Sequence, residues 1–392
     1  MSFFAVTLMV ITTIQWITLD MYLPALPVLK EELHTTEAMM NISLNAGIAM
    51  AAVGTLFSGT LSDRFGRKPI LLAGLFISAV CMTLCAFAHS VLFLSVMRGI
   101  AGMGSGFAET VTAAMLKDSF TGRRFQRSMT FMQSVAALGP LFAPTLGSVI
   151  INIASWQYIF YFLGITTAIT AIPIVISTET WPKEKRIAEK MTDVLREGMT
   201  IAGTPAFALF LGVAAFLTIP VWAYIAVSPY VFINDFGVSN VAYGIYYGVG
   251  AAMSIIAPFL YILMARRWNG ALVTGITIAM TLAGGLMLLT IGRFHPILFL
   301  LAIVPIMISE GMIRPLSYVV LLEEYSQSAG TASSLMQFII NLVGIVGTTL
   351  ATLQWHSMIT GTAIITLVCV ALAAVCARQL QRRHLLRQRL NY

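Results

Sequence analysis

Five charged side chains fall inside stretches that are otherwise apolar: Asp20, Arg98, Glu109, Glu310 and Arg314. A charge at the centre of a bilayer costs about 2.5–3.5 kcal/mol on insertion scales, so each is expected to face a bundle interior or a wet cavity, with a partner or a proton. Asp20 lies in Thr18-Leu19-Asp20-Met21-Tyr22-Leu23-Pro24-Ala25-Leu26-Pro27, after a run that is apolar back to Phe3. An arginine beside a carboxylate favours its ionised form and burial favours its protonated form. A carboxylate held between the two can take up and release a proton. Glu310 and Arg314 stand i,i+4, the spacing at which two side chains meet on one helix face. They read either as a self-neutralising pair or as a polar, substrate-facing wall. Glu109 follows Arg98 by about three helical turns and so lies on roughly the same face. It reads as a substrate or proton site, or as a local gate contact.

The elements that must carry these residues are membrane helices. Of 392 residues, 58% are hydrophobic and only 10% charged, with a mean hydropathy of +0.87, where soluble domains carry about 25% charged residues. No secretory cleavage pattern is seen, and the first apolar run, long enough to span, is expected to be retained. Twelve segments approach the roughly 20 residues that a bilayer core requires: 3–26, 38–61, 69–88, 90–116, 127–151 and 156–177, then 204–232, 240–264, 270–291, 296–322, 329–352 and 357–377. With the N-terminus inside, Lys30 and Arg293 are the only Lys or Arg residues in outer connections. Both termini are therefore expected in the cytoplasm. The single long polar segment, 178–203, divides the chain into an N-terminal six-helix half (1–177) and a C-terminal one (204–377), and reads as a tether containing a short amphipathic helix. A basic tail, 378–392, follows.

Topology sets the depth of the charges. The first span runs outward and puts Asp20 roughly 9 Å below its outer end, and the fourth runs inward and puts Arg98 roughly 12 Å below the same face. Both groups thus sit at similar depth.

Three stretches carry more than hydropathy. Gly59-Thr60-Leu61-Ser62-Asp63-Arg64-Phe65-Gly66-Arg67-Lys68-Pro69 joins the second and third spans. Its glycines permit a tight reversal and Pro69 suits a first helical turn. Topogenic charge explains Arg64, Arg67 and Lys68 but not the acid Asp63 among them. Arg98-Gly99-Ile100-Ala101-Gly102-Met103-Gly104-Ser105-Gly106 offers a small-residue face for close helix approach, which leaves Arg98 unexplained by packing. Gly139-Pro140-Leu141-Phe142-Ala143-Pro144-Thr145-Leu146-Gly147 reads as a kinked, closely packable helix.

Together these stretches resemble the signatures of the major facilitator superfamily. The resemblance implies an all-α integral membrane fold of twelve transmembrane helices in two six-helix halves, with the substrate site near the midplane between them. It also implies that Asp63 caps a helix of the opposite half at its positive end, that the basic loop pairs across a cytoplasmic gate, and that Arg98 reaches the cavity and influences protonation. The proline–glycine stretch is similar to the antiporter motif of drug:proton exchangers, with Ser148 where a second glycine is common. The opening Asp-Met-Tyr-Leu-Pro-Ala-Leu-Pro narrows the resemblance to the Bcr/CflA branch of bacterial drug-resistance transporters. This motif likeness covers roughly residues 18–147. The C-terminal half matches in span pattern only.

In that fold Gln15, Trp16, Tyr22, Asn41, Asn45 and Gln133 are candidates to line the cavity from the first half. Trp222, Tyr224, Tyr230, Tyr243, Tyr246, Tyr247, Gln337 and Asn341 are candidates from the second. Interfacial belts and interhelical glue are the competing readings. The 22 methionines suit an adaptable apolar pocket.

Other classes find little support. The net charge of +7 sits in short loops and the tail, which suits topology and anionic lipid rather than nucleic acid. Cys81, Cys85, Cys369 and Cys376 lie in apolar spans and read as small buried residues, not as metal ligands. No phosphate-binding loop, catalytic constellation or cofactor motif is found, so neither an enzyme nor an ATP-driven pump is expected. The expectation is a monomer working as a proton-coupled exporter of small hydrophobic compounds in a bacterial inner membrane, with no cofactor beyond the proton gradient. The alternative is a dedicated exporter or proton symporter of a single metabolite on the same fold.

Overall fold

The computed structural model describes residues 3–120, 124, 128–129, 131–132, 135, 138–186, 196, 199–324 and 329–383. Gln133, linker positions 187–195, where an amphipathic helix is expected, and the tail from 384 onward lie outside the described residues. So does the side chain of Gln337. Among the described residues the regular structure is helical: α1 (Phe3–Asp20), α2 (Leu26–Glu32), α3 (Glu37–Phe65), α4 (Arg67–Cys85), α5 (Val91–Ser119), α6 (Leu138–Ile153), α7 (Gln157–Ile176), α8 (Pro205–Pro229), α9 (Asn240–Ala265), α10 (Gly270–Thr290), α11 (Pro296–Glu324), α12 (Ala329–Ala351) and α13 (Met358–Arg382). Among the described residues, ten stretches are long and apolar enough to cross a membrane, and the shorter apolar helices Leu138–Ile153 and Phe338–Ala351 accompany them.

Local sequence sets the ends. Thr36 caps α3 by accepting from the Met39 amide at 3.3 Å, Ser90 caps α5 through Phe93 at 3.2 Å, and Asn269 caps α10 through Leu272 at 2.8 Å. The first span is expected as one run over 3–26, but α1 stops at Asp20. A 3-10 turn at Leu23–Ala25 and the short α2 carry the chain on to Glu32. Pro24 and Pro27 have no amide hydrogen to continue the helical ladder. Beyond Pro229, α8 passes into a π-helical turn, Tyr230–Asp235.

The chain forms two compact units, Met1–Met191 with Ser239–Gly248, and Thr192–Val238 with Val249–Tyr392. In the first, Ala5, Leu8 and Ile11 of α1 pack with Leu71 and Leu75 of α4, Ala108, Val111 and Met115 of α5, and Ile174 of α7. Lipid tails are as apolar as these side chains, so close backbone approach must hold the helices together. Helix α5 supplies it on two sides. A Cβ on Gly102 would overlap the carbonyl oxygen of Gly47 in α3, and one on Gly104 would sit 2.5 Å from that of Gly74 in α4.

In the second unit, Phe207, Phe210, Val213, Ala214 and Leu217 of α8 meet Val273 of α10, Met312, Ile313 and Leu316 of α11, and Met336 and Ile340 of α12. A polar relay ties α10 to α11. Thr281 Oγ1 donates to Ser309 Oγ at 2.8 Å, and Ser309 Oγ donates to the Thr277 carbonyl at 2.9 Å.

Candidate functional site

Among the described residues of the first unit, Arg98 is the most deeply buried charge, 1% exposed on α5. Its Nε donates to the Ser43 carbonyl of α3 at 3.2 Å, and its guanidinium carbon lies 3.7 Å from the centroid of the Tyr22 ring. A cation over an aromatic face is attracted to the negative ring quadrupole, more strongly where water is excluded. The Tyr22 ring in turn packs on Phe160 of α7 at 6.0 Å, and Phe160 on Trp156 at 5.9 Å. Trp156 Nε1 donates to Glu32 at 2.6 Å. The break after α1 therefore has a chemical outcome: it turns Tyr22 under Arg98 instead of along the helix.

Asp20, the last residue of α1, lies within electrostatic range of Arg98 and accepts a hydrogen bond from Tyr247, whose end of α9 belongs to the first unit. The sequence places Asp20 and Arg98 at similar depth, and the fold brings them together with Tyr22. With the Arg98 Nε committed to Ser43, the arginine answers the Asp20 charge across space. Gln15, one turn and a residue before Asp20, is buried, and neither atom of its amide has a partner among the described residues.

The proline–glycine stretch forms α6 and brackets Asp20. A Cβ on Gly139 would sit 2.9 Å from Trp16 Cβ, and one on Gly147 would overlap the carbonyl oxygen of Met21. Pro144 lies inside the helix between them, and Pro140 in its first turn. Ser148 is fully buried, so the position tolerates a hydroxyl where glycine is common in the resembling family.

A second cluster lies at the loop joining α3 to α4. Arg67 is anchored by Asp63 at 2.6 Å, by Ser62 Oγ at 2.6 Å and by Asp118 of α5 at 3.1 Å, and lies 4.8 Å from the centroid of the Trp181 ring. Lys68 Nζ donates to the carbonyls of Val175 at 2.7 Å and Ser177 at 2.8 Å, where a cation complements a helix C-terminus. Arg64 is exposed, against Phe65 at 5.3 Å. The reversal expected of the two glycines falls to Gly66 alone, at φ 105°, because Gly59 lies inside α3.

The remaining candidates are dispersed. Glu109 is exposed on α5, Asn41 is buried on α3 and Asn45 half-buried there. In the second unit Glu310 is 5% exposed and pairs with Arg314 at 2.5 Å, as the i,i+4 spacing predicts. Trp222 packs against Gly344, where a Cβ would lie 2.8 Å from its Cε2. Tyr224 is buried, 6.1 Å from Phe299, whereas Tyr246 and Asn341 are half-buried. Sequence reasoning missed Ser43, Phe160, Asp118, Glu179 and Trp181. A signal existed for Asp118: like Asp63, it is an acid in a stretch whose basic residues topology explains. For Ser43, which contributes a carbonyl, no side-chain pattern was available.

The family description that matches residues 8–348 is Major Facilitator Superfamily. The chain is 30% identical over 248 residues to the multidrug resistance protein MdtL of Klebsiella pneumoniae, covering 62% of this chain and 61% of that protein. It is 25% identical over 361 residues to a bicyclomycin resistance protein homolog of Haemophilus influenzae, covering 90% and 89%. Among solved structures, a bacterial homolog of the human lysosomal transporter Spinster, inward-facing and occupied, matches with a TM-score of 0.75 at 13% identity, over 95% of this chain and 94% of that one. At that identity the likeness is one of fold.

Proposed function

Because this chain belongs to the Major Facilitator Superfamily, we propose that it is a proton-coupled antiporter exporting small hydrophobic compounds, drugs among them, across a bacterial inner membrane. It transports rather than transforms its substrate. The observation that carries the reading is the buried Arg98 facing Asp20 at the broken end of α1. The relatives named for multidrug and bicyclomycin resistance support the choice of substrate class.

In the proposed cycle a substrate and a proton compete for the charge state around Asp20 and Arg98. Each ligand favours a different member of one two-state equilibrium, inward-facing or outward-facing, and that shared equilibrium is the coupling. The inward proton gradient then drives export with no cofactor. Positive-inside charge supports cytoplasmic termini, the basic tail suits contact with anionic lipid, and one chain suffices for the cycle.

The test is drug-evoked proton release from acid-loaded proteoliposomes, with wild type beside Asp20→Asn. Release from wild type that is absent in the variant is the expected result. Equal release from both would move the proton to Glu109 or Glu310. Silence from wild type across a chemically mixed panel would point instead to a transporter of one metabolite.

A further inference from the structure

Helix α4 begins without a cap of its own. Gly66 at its N-cap has no side chain, the first turn holds no acid, and Arg64, Arg67 and Lys68 crowd positive charge around its positive end. The missing acceptor comes from more than a hundred residues away. Glu179, just beyond α7, accepts from the Arg67 amide at 3.0 Å and the Lys68 amide at 3.2 Å. It also accepts from the Trp181 amide at 3.0 Å. That last bond turns the chain so that the Trp181 ring lies against the Arg67 guanidinium. Arg186 Nη2 stands 3.8 Å from the same carboxylate.

Gly66 is what admits this arrangement. A Cβ there would overlap Glu179 Oε2 and lie 2.7 Å from Arg186 Nη2, and the backbone angle of 105° is one that other residues rarely adopt. Arg67 is thus held from three sides, by Asp63 of α3, Asp118 of α5 and the ring of Trp181.

We infer that Glu179 is a positioning residue of the transport cycle, fastening the first residues of the linker onto the α3–α4 loop and holding Arg67 in register. The segment that leads on to the second unit starts from a fixed point on that loop. A rearrangement of the loop then moves the start of the linker with it, and the linker can hold the loop in turn.

Three variants test this in the full chain in proteoliposomes: Glu179→Ala, Glu179→Gln, which keeps one acceptor oxygen, and Glu179→Asp, which keeps the charge. Hydrogen exchange at the Arg67 and Lys68 amides is read first and needs no substrate. The expected result is exchange faster by about tenfold or more in Glu179→Ala, in proportion to a hydrogen bond to a charged group, with partial protection in the other two. Drug-evoked proton release is read second, with kcat expected to fall several-fold at nearly constant KM, and Glu179→Asp recovering part of it. Unchanged exchange in Glu179→Ala would overturn the contact. Faster exchange with unaltered kcat would reduce it to a local cap and overturn the positioning role. If wild type releases no protons, the proposed function fails separately, and thermal unfolding and amide exchange still decide whether Glu179 holds the loop.

Discussion

The Arg98 guanidinium lies 3.7 Å from the centroid of the Tyr22 ring, with its Nε bonded to the Ser43 carbonyl. A planar, delocalised cation can stack and donate sideways at once, whereas an ammonium cannot. Arg98→Lys should therefore lower drug-evoked proton release by about tenfold, the scale of a lost hydrogen bond from a charged group. Proteoliposome assays at matched protein incorporation would check it. Rates equal to wild type would mean that charge alone suffices at this position.

Close packing beside Asp20 makes a second expectation. Gly147→Ala drives a methyl group into the Met21 carbonyl. Overpacking of this kind costs about 1–3 kcal/mol. Its neighbour Ser148 buries a hydroxyl that has no partner among the described residues, so Ser148→Ala should leave the melting temperature unchanged or raise it. Thermal unfolding in detergent compares the two.

At the loop between α3 and α4, Gly66→Ala should destabilise by about 1–3 kcal/mol, because a non-glycine residue is strained at that backbone angle. Gly59→Ala is the control. A Cβ on Gly59 meets nothing within 4 Å, and alanine is the better helix former. Unfolding midpoints should move in opposite directions.

The pair on α11 can be tested by charge. Arg314→Gln leaves the buried Glu310 without its partner at 2.5 Å. Removing one member of a pair is costlier than removing both. The double variant Glu310→Gln with Arg314→Gln should therefore unfold at a higher temperature than Arg314→Gln alone. The reverse order would show that Glu310 is stabilised by other groups.

Hydropathy made the all-helical membrane architecture legible, because a bilayer core demands helices of a set length whatever packs against them. The polar and charged exceptions singled out Asp20, Arg98 and the Glu310–Arg314 pair on the same ground. The i,i+4 contact of the last pair is local geometry, and local geometry is readable from spacing. The roles of Tyr22 and Gly59 were harder. Whether a proline-rich stretch continues a span or breaks it depends on what the neighbouring helices accept, and α1 ended at Asp20 rather than running on to 26.

By itself, then, the sequence determined the membrane helices and the charges that must find partners in hydrocarbon. Tertiary structure decided who those partners are. Ser43 reaches Arg98 through a main-chain carbonyl, a group that every residue carries and no pattern marks. Glu179 reaches the start of α4 across more than a hundred residues of chain, and only the packing of α7 beside α4 brings it there. Contacts set by spacing along one helix are written in one dimension, whereas contacts between helices exist only once glycine faces such as that of α5 have fixed how closely the helices approach.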